Sequence, residues 1–344
     1  MKYLTLVPAI TISILFTACV YSQTKQNTRL PGFSASPQFA EQEMTLNFQP
    51  GVRAVINAPA ADAFDPQKPV KLLLFGIPNT NTIELTMGKK LHTGDNKRYD
   101  IQHIAAQTRF LRNMMTDCNI VIAYLKTEQK SWPAWRRANP DNAILIHRIV
   151  DSLRNLFSSY KTTVTLTGHS GGGSFTFGYI NGCSAIPDYV ERIAFMDSNY
   201  GYEEELHGKK IAAWLASSPE HFLSNIAYND SVALNNGKPD VGPTEGTWYR
   251  SRLMFRYLKD HFLFSVSEDT AFVKYTAHNK QITMVLRQNP ERRILHTVMV
   301  ELNGFIHSIA SGTQYENQNY IYYGPRAYSD FIYDDAPMAE TGTR

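Results

Sequence analysis

The stretch Thr163-Val164-Thr165-Leu166-Thr167-Gly168-His169-Ser170-Gly171-Gly172-Gly173 sets a single hydroxyl in the pattern Gly168-x-Ser170-x-Gly172. β-Branched residues lead into it and small residues lead out, as where a strand turns abruptly into a helix. A serine on so sharp a bend needs neighbours without bulk, because strand and helix almost touch there. The bend also sets the serine at a helix N-terminus, where free N–H groups stabilise developing negative charge. Such a hydroxyl becomes a nucleophile once a base takes its proton, and histidine is the usual base near neutral pH. The chain has ten histidines. A glycine-rich bend can instead cradle phosphate, but no Lys follows the glycines as in a P-loop, and no dinucleotide fingerprint follows the first strand.

The elements that must position this serine are legible as alternating apolar runs and helical patterns. Met44 to Pro59 reads as a strand pair turning at Pro50-Gly51. Val70 to Phe75 is a continuous apolar run, as expected of a buried parallel strand. Asp100 to Met115 has helical spacing, Asn119 to Leu125 is strand-like, and Ala143 to Phe157 is an amphipathic helix. Strands follow at Thr163 to Thr167, Arg192 to Met196 and Phe222 to Tyr228, with helices at Lys209 to Ala216 and Thr247 to His261. A less regular stretch runs to Arg293. The last strand is expected at His296 to Leu302, and a further helix near Pro325. The alternation predicts an α/β fold: a mostly parallel central sheet flanked by helices on both faces.

On the serine bend and this alternation, the chain resembles the α/β-hydrolase superfamily, most closely over Val70 to Ser198 and Phe222 to Ser308. The resemblance implies a triad in chain order nucleophile, acid, histidine. It implies Ser170 as nucleophile and, in the loop after the expected last strand, His307 as base. His296 precedes that strand and falls at its wrong end, and His169 is expected to point away from Ser170. The acid must hold the imidazole tautomer and stabilise the imidazolium. Asp230, after the strand Phe222 to Tyr228, has the superfamily's usual position. Asp197, after Arg192 to Met196, has the position some lipases of the superfamily use. Both stay open.

Acyl transfer also needs N–H donors aimed at the oxyanion. One is expected from Gly171. The other should come from the loop Gly76-Ile77-Pro78-Asn79, where Pro78 has no N–H and Ile77 and Asn79 are the candidates. Asn81 and Glu84, in the polar loop beyond, are candidate substrate contacts. Aromatic clusters at Trp132/Trp135, Tyr200/Tyr202 and Trp248/Tyr249 suit either a substrate wall or a packed lid. His92, Asp95 and His103 lie close in sequence without a metal-ligand spacing, so no metal is expected, and the chemistry calls for no cofactor.

At the N-terminus, Lys2 and the apolar stretch Leu4 to Phe16 read as a signal peptide over 1–18. Phe16-Thr17-Ala18-Cys19 resembles a bacterial lipobox, with Cys19 lipidated. Residues 19–40 then form a tether and 41–344 the hydrolase domain. The expected location is the bacterial cell envelope, through a lipid anchor in the membrane. Cys118 and Cys183 are expected as buried free thiols. The net charge of +3 on 344 residues carries no basic stripe, so no nucleic-acid partner is expected. The expected substrate is a small ester or acylated molecule. A peptidase or amidase with the same triad, and a catalytically silent binding lipoprotein, are the rival classes.

Overall fold

The computed structural model describes residues 29–36 and 39–335. The expected signal peptide, Cys19 and residues 19–28 of the tether lie outside the described residues. Leu30 and Phe33, within the expected tether, are buried, and the Phe33 ring meets Phe157 at 6.2 Å edge-on.

Strands β1 (Ser34–Ala35), β2 (Gln42–Phe48), β3 (Val52–Ala58), β4 (Val70–Gly76), β5 (Asn119–Thr127), β6 (Thr162–His169), β7 (Val190–Met196) and β8 (Phe222–Tyr228) come first in the chain. A two-residue-strand hairpin, β9 (Leu234–Asn235) and β10 (Lys238–Pro239), stands apart from the main sheet. Strands β11 (Phe264–Glu268), β12 (Phe272–Ala277) and β13 (Ile282–Arg287) complete it. The sheet order is β1-β2-β3-β5-β4-β6-β7-β8-β13-β12-β11. The six strands from β5 to β13 in that order run parallel. Both flanks are antiparallel, so the sheet is mixed where a mostly parallel one was expected. The cause lies in the connections. β2–β3 and β11–β12–β13 are joined by tight loops, which permit only antiparallel pairing, whereas parallel neighbours need a crossover.

The helices are α1 (Ile83–Met87), α2 (Ile104–Met114), α3 (Trp132–Ala138), α4 (Asn142–Asn155), α5 (Gly173–Gly182), α6 (Lys209–Ser217), α7 (Gly246–Leu258), α8 (Val298–Glu301) and α9 (Gly304–Ala310). The apolar run of β4 explains the layering. Leu72 and Leu74 enter one core with residues of α4 to α7, while Leu73 and Phe75 enter a second core with α2 and α9. A strand with helices on both faces has no solvent side, so its side chains need not alternate in polarity. Burying each leucine contributes roughly 2 kcal/mol. Cys118 and Cys183 are buried and free. Among the described residues no helix is long and apolar enough to cross a membrane.

Two differences from expectation matter for the site. The stretch up to Arg293, expected to be irregular, contains β11 to β13, and β13 is the last strand of the parallel block. His296 to Leu302, expected as that strand, instead carries the short helix α8 (Val298–Glu301), packed by Met299 and Val300. A short apolar run of β-branched residues has no periodicity long enough to separate strand from buried helix. The helix expected near Pro325 is reduced to a 3₁₀ turn at Ser329–Phe331.

Candidate active site

Strand β6 delivers Ser170 at its C-terminal end, and a 3₁₀ turn (Ser170–Gly172) leads directly into α5. Ser170 has φ +56°, a left-handed conformation that is strained for a side-chain-bearing residue. The surrounding glycines are required by contact. A Cβ on Gly172 would lie 1.9 Å from the Gly76 carbonyl oxygen, and one on Gly168 would lie 2.8 Å from that same oxygen. The bend therefore packs on the end of β4 backbone to backbone. Ser170 itself is partly exposed.

Next to this bend stands His296. Its ring centre is 4.3 Å from that of His169, and its carbonyl lies 3.1 Å from His169 Nε2. His296 Nδ1 lies 2.5 Å from Asp197 Oδ2. Asp197 follows β7 in a left-handed conformation (φ +45°), with its N–H donating to Ile226 at 2.7 Å. The carboxylate is fully buried, and its second oxygen, Oδ1, accepts from the Thr247 hydroxyl. Burial opposes a charge on His296, but the Asp197 hydrogen bond and charge outweigh it. The imidazole therefore titrates above its ordinary 6.5. His169, wholly buried and beside His296, is held neutral: burial and its neighbour both push it well below 6.5.

The loop that carries His296 follows β13 and is organised by Asn289. This residue adopts φ +59°, donates from Nδ2 to Asn229 and Arg293 carbonyls (3.0 and 2.9 Å), and accepts from the Arg293 N–H at 3.0 Å. The exposed Tyr200 ring stands 6.4 Å from the His296 ring.

Asp230 occupies the neighbouring strand end but serves a different partner. It accepts from the backbone N–H groups of Thr247 (2.7 Å) and Trp248 (3.4 Å), at the start of α7. Gly246 makes this possible: at φ +77°, a Cβ there would lie 2.2 Å from Asp230 Oδ2. Burial and the nearby Asp197 charge push Asp230 up to about 6 against those N–H groups. The Thr247 hydroxyl, 3.2 Å from Asp230 Oδ2, links the two acids. Both candidate acids thus meet in one cluster, and it is Asp197 that holds a histidine.

The structure does not bring His307 to Ser170, and here the expectation is corrected. His307 lies within α9, with its ring stacked on Tyr322 at 4.7 Å and Nδ1 3.2 Å from the Tyr320 hydroxyl. The following residue, Ser308, accepts through its carbonyl from Arg192 at 3.2 Å. Arg192 is at the entry of β7, four residues before Met196, whose register partner is His169. That places the partner of Ser308 about 13 Å along the strand from the elbow. Burial drives His307 down to about 3, so it is a neutral core residue. The last parallel strand is Ile282–Arg287, closed by Asn289-Pro290, and not the apolar run that forms α8; the first histidine after it is His296. Thr247 and Asn289 carry no sequence signal of their roles.

On the oxyanion side, Asn79 and Gly171 come together: a Cβ on Gly171 would lie 2.1 Å from Asn79 Oδ1. Ile77 is corrected as a donor, because it is buried and its N–H is spent on the Leu125 carbonyl at 3.2 Å. Gly171 lies in the first turn of the helical segment, where N–H groups lack intrahelical acceptors. Asn81 and Glu84 are engaged otherwise. Asn81 is buried and bonded to Thr86 and Arg98, and Glu84 pairs with Arg53 at 3.1 Å. Trp132 and Trp135 are core, their indole N–H groups donating to Leu125 and Pro50 carbonyls, and Tyr202 is buried.

Among the described residues, His92, Asp334 and Asp335 place ligand atoms within 4.8 Å of one another. Lys90 and Lys89 pair with those carboxylates at 3.1 and 2.7 Å. The group is an ion-paired strap between the loop after α1 and the C-terminal segment.

The strand order with its parallel centre, and the strained serine turn between β6 and α5, fit the α/β-hydrolase fold that the sequence resembles. No family model and no curated protein matches the chain in sequence. Several solved structures are similar at low identity. A thermostable esterase shares 13% identity with a TM-score of 0.46, over 82% of this chain and 64% of its own. An IroE-like serine hydrolase from Shewanella oneidensis shares 12% with a TM-score of 0.42, over 80% and 77%. A siderophore hydrolase from Aspergillus nidulans shares 11% with a TM-score of 0.41, over 81% and 94%. The chain thus spans under two thirds of the length of that thermostable esterase.

Proposed function

We propose that the chain is a serine hydrolase that cleaves esters through an acyl-enzyme on Ser170, with His296 as base and Asp197 as its orienting acid. The observation that carries this is the 2.5 Å His296–Asp197 hydrogen bond standing beside the strained serine bend. His296 Nε2 takes the Ser170 proton as Oγ attacks the ester carbonyl, and returns it to the leaving alcohol as the carbon–oxygen bond breaks. Water, deprotonated by the same nitrogen, then attacks the acyl carbonyl and releases the acid and the free serine. The N–H groups of Gly171 and Asn79 receive the oxyanion in both steps. Asp230 anchors α7 and, through Thr247, sets Asp197 in place. The Phe16–Cys19 pattern supports a lipid anchor in a bacterial envelope, with imported or extracellular esters as substrates.

Labelling by a fluorophosphonate probe, with release of 4-nitrophenol from short-chain esters, tests the reading. Wild type should be labelled and active; Ser170→Ala should be neither. His296→Ala should lose turnover by about a thousandfold or more, while His307→Ala should lose stability more than specific activity. An unlabelled wild type, or full activity in His296→Ala, rejects the assignment.

A further inference from the structure

His169 closes β6 immediately before Ser170, and its ring lies against the base. Its Nε2 is 3.1 Å from the His296 carbonyl oxygen, and the two ring centres are 4.3 Å apart with planes inclined at 34°. A carbonyl only accepts, so Nε2 carries the proton. The ring is buried and held neutral, which leaves Nδ1 without a proton, and that nitrogen is buried with no partner among the described residues. An unpaired buried acceptor costs about 1–3 kcal/mol. An apolar side chain would fill the same space without that cost, so packing does not account for an imidazole here.

The loop that carries His296 is exposed from Glu291 to Ile294. Leu295 then drops into the second core, and Asn289 organises the start of the loop. At His296 itself two grips meet: Asp197, after β7, holds Nδ1 at 2.5 Å, and His169, at the end of β6, holds the carbonyl. His169 and Met196 are register partners, so the two grips come from neighbouring strands at one level of the sheet. The His169 ring against the imidazole limits its rotation, and Nε2 is the nitrogen left for Ser170. Because His169 and Ser170 are consecutive, the backbone that sets the nucleophile also sets the base. A misplacement of about 1 Å between such groups can cost about a hundredfold in rate. A neutral His169 also adds no repulsion when His296 becomes an imidazolium.

We propose that His169 is a positioning residue, whose Nε2–H bond to the His296 carbonyl fixes the base relative to Ser170. The proposal rests on the serine-hydrolase reading. The donor carries most of the effect and the ring face the remainder, so a side chain that restores the donor without the ring restores most of the turnover.

The test compares three variants of the full chain. His169→Phe keeps a flat ring and removes the donor, His169→Asn is too short to reach the carbonyl, and His169→Gln restores a donor nitrogen at similar reach. Fluorophosphonate labelling separates two quantities: the fraction of chains labelled at completion, and the second-order rate. With 4-nitrophenyl butyrate, kcat should fall at least about tenfold in His169→Phe and His169→Asn, with KM within about twofold. Labelling should slow by a similar factor yet still reach the wild-type fraction. His169→Gln should keep kcat and the labelling rate within about threefold, since one neutral hydrogen bond replaces another. A loss confined to the labelled fraction in both His169→Phe and His169→Asn makes His169 a packing residue and overturns the proposal. So does a His169→Gln that falls as far as the other two. An unlabelled wild type sinks the hydrolase reading and the proposal with it, whereas a labelled wild type beside an unimpaired His169→Phe sinks the positioning role alone.

Discussion

Asp197 and Asp230 stand on either side of one threonine hydroxyl, and converting each in turn to its amide separates their roles. Asp197 is fully buried and offers one oxygen to His296 Nδ1–H and the other to Thr247 Oγ1–H. An asparagine has a single carbonyl oxygen. If that oxygen faces Thr247, the amide NH2 faces His296 and forces the tautomer whose Nε2 carries the proton, which cannot accept one from Ser170. The imidazolium formed during attack also loses its counter-charge. Asp197→Asn should therefore lower kcat by about 10⁴, about 5 kcal/mol of transition-state stabilisation. Asp230 accepts from the Thr247 N–H through Oδ2, which an amide oxygen in that place also satisfies, and only the longer 3.4 Å contact of Oδ1 with the Trp248 N–H is lost, so Asp230→Asn should keep activity within about tenfold. Its effect falls on stability. Asp230 titrates near 6 when folded and near 3.8 when unfolded. The folded state therefore holds more protons between those values, and stability falls as pH rises from about 4 to about 6 and levels above. Removing the charge should stabilise the protein at pH 8 by up to about 3 kcal/mol and flatten that slope. Steady-state ester hydrolysis and urea melts at pH 4 to 8 read both effects. In wild type, kcat/KM should climb with pH through a midpoint above 6.5, since only neutral His296 accepts the serine proton, and the midpoint should drop in Asp197→Asn. An inactive Asp230→Asn beside a near-normal Asp197→Asn would refute the reasoning.

Thr247→Val keeps the shape but removes the donor to Asp197, and should lower kcat about tenfold with little change in KM, the cost of one charge-assisted hydrogen bond; Thr247→Ser should restore most of it. Asn289→Gly retains the left-handed backbone of the His296 loop but loses three hydrogen bonds. It should reduce turnover roughly tenfold with a melting temperature lowered only a few degrees. Gly172→Ala drives a methyl into the Gly76 carbonyl oxygen, so a loss of at least about 2 kcal/mol in a urea melt is expected, together with the loss of probe labelling.

Much of this protein can be read from the chain alone, wherever local signals are sufficient. The glycine-flanked Ser170 declares its bend because only residues without side chains fit that approach. The run Val70 to Phe75 declares a two-sided strand, because continuous apolarity is what two cores require. Helix α4 shows its face by its 3.6-residue spacing. The element ends drift by a few residues, as they do wherever no cap or breaker marks them. The histidine was not legible for the opposite reason. His296 and His307 both follow apolar runs rich in β-branched residues, and Ile282–Arg287 and Thr297–Leu302 are too short for periodicity to tell strand from buried turn. Tertiary packing made the choice, pairing β13 with β8 and folding Val298–Glu301 into a helix against the second core. The same packing ranked the two aspartates, which occupy equivalent strand ends in sequence. Which of them meets an imidazole depends on where the loop after β13 returns across the sheet, and that path is set by contacts among Asn289, Asn229 and Arg293 that no local pattern encodes.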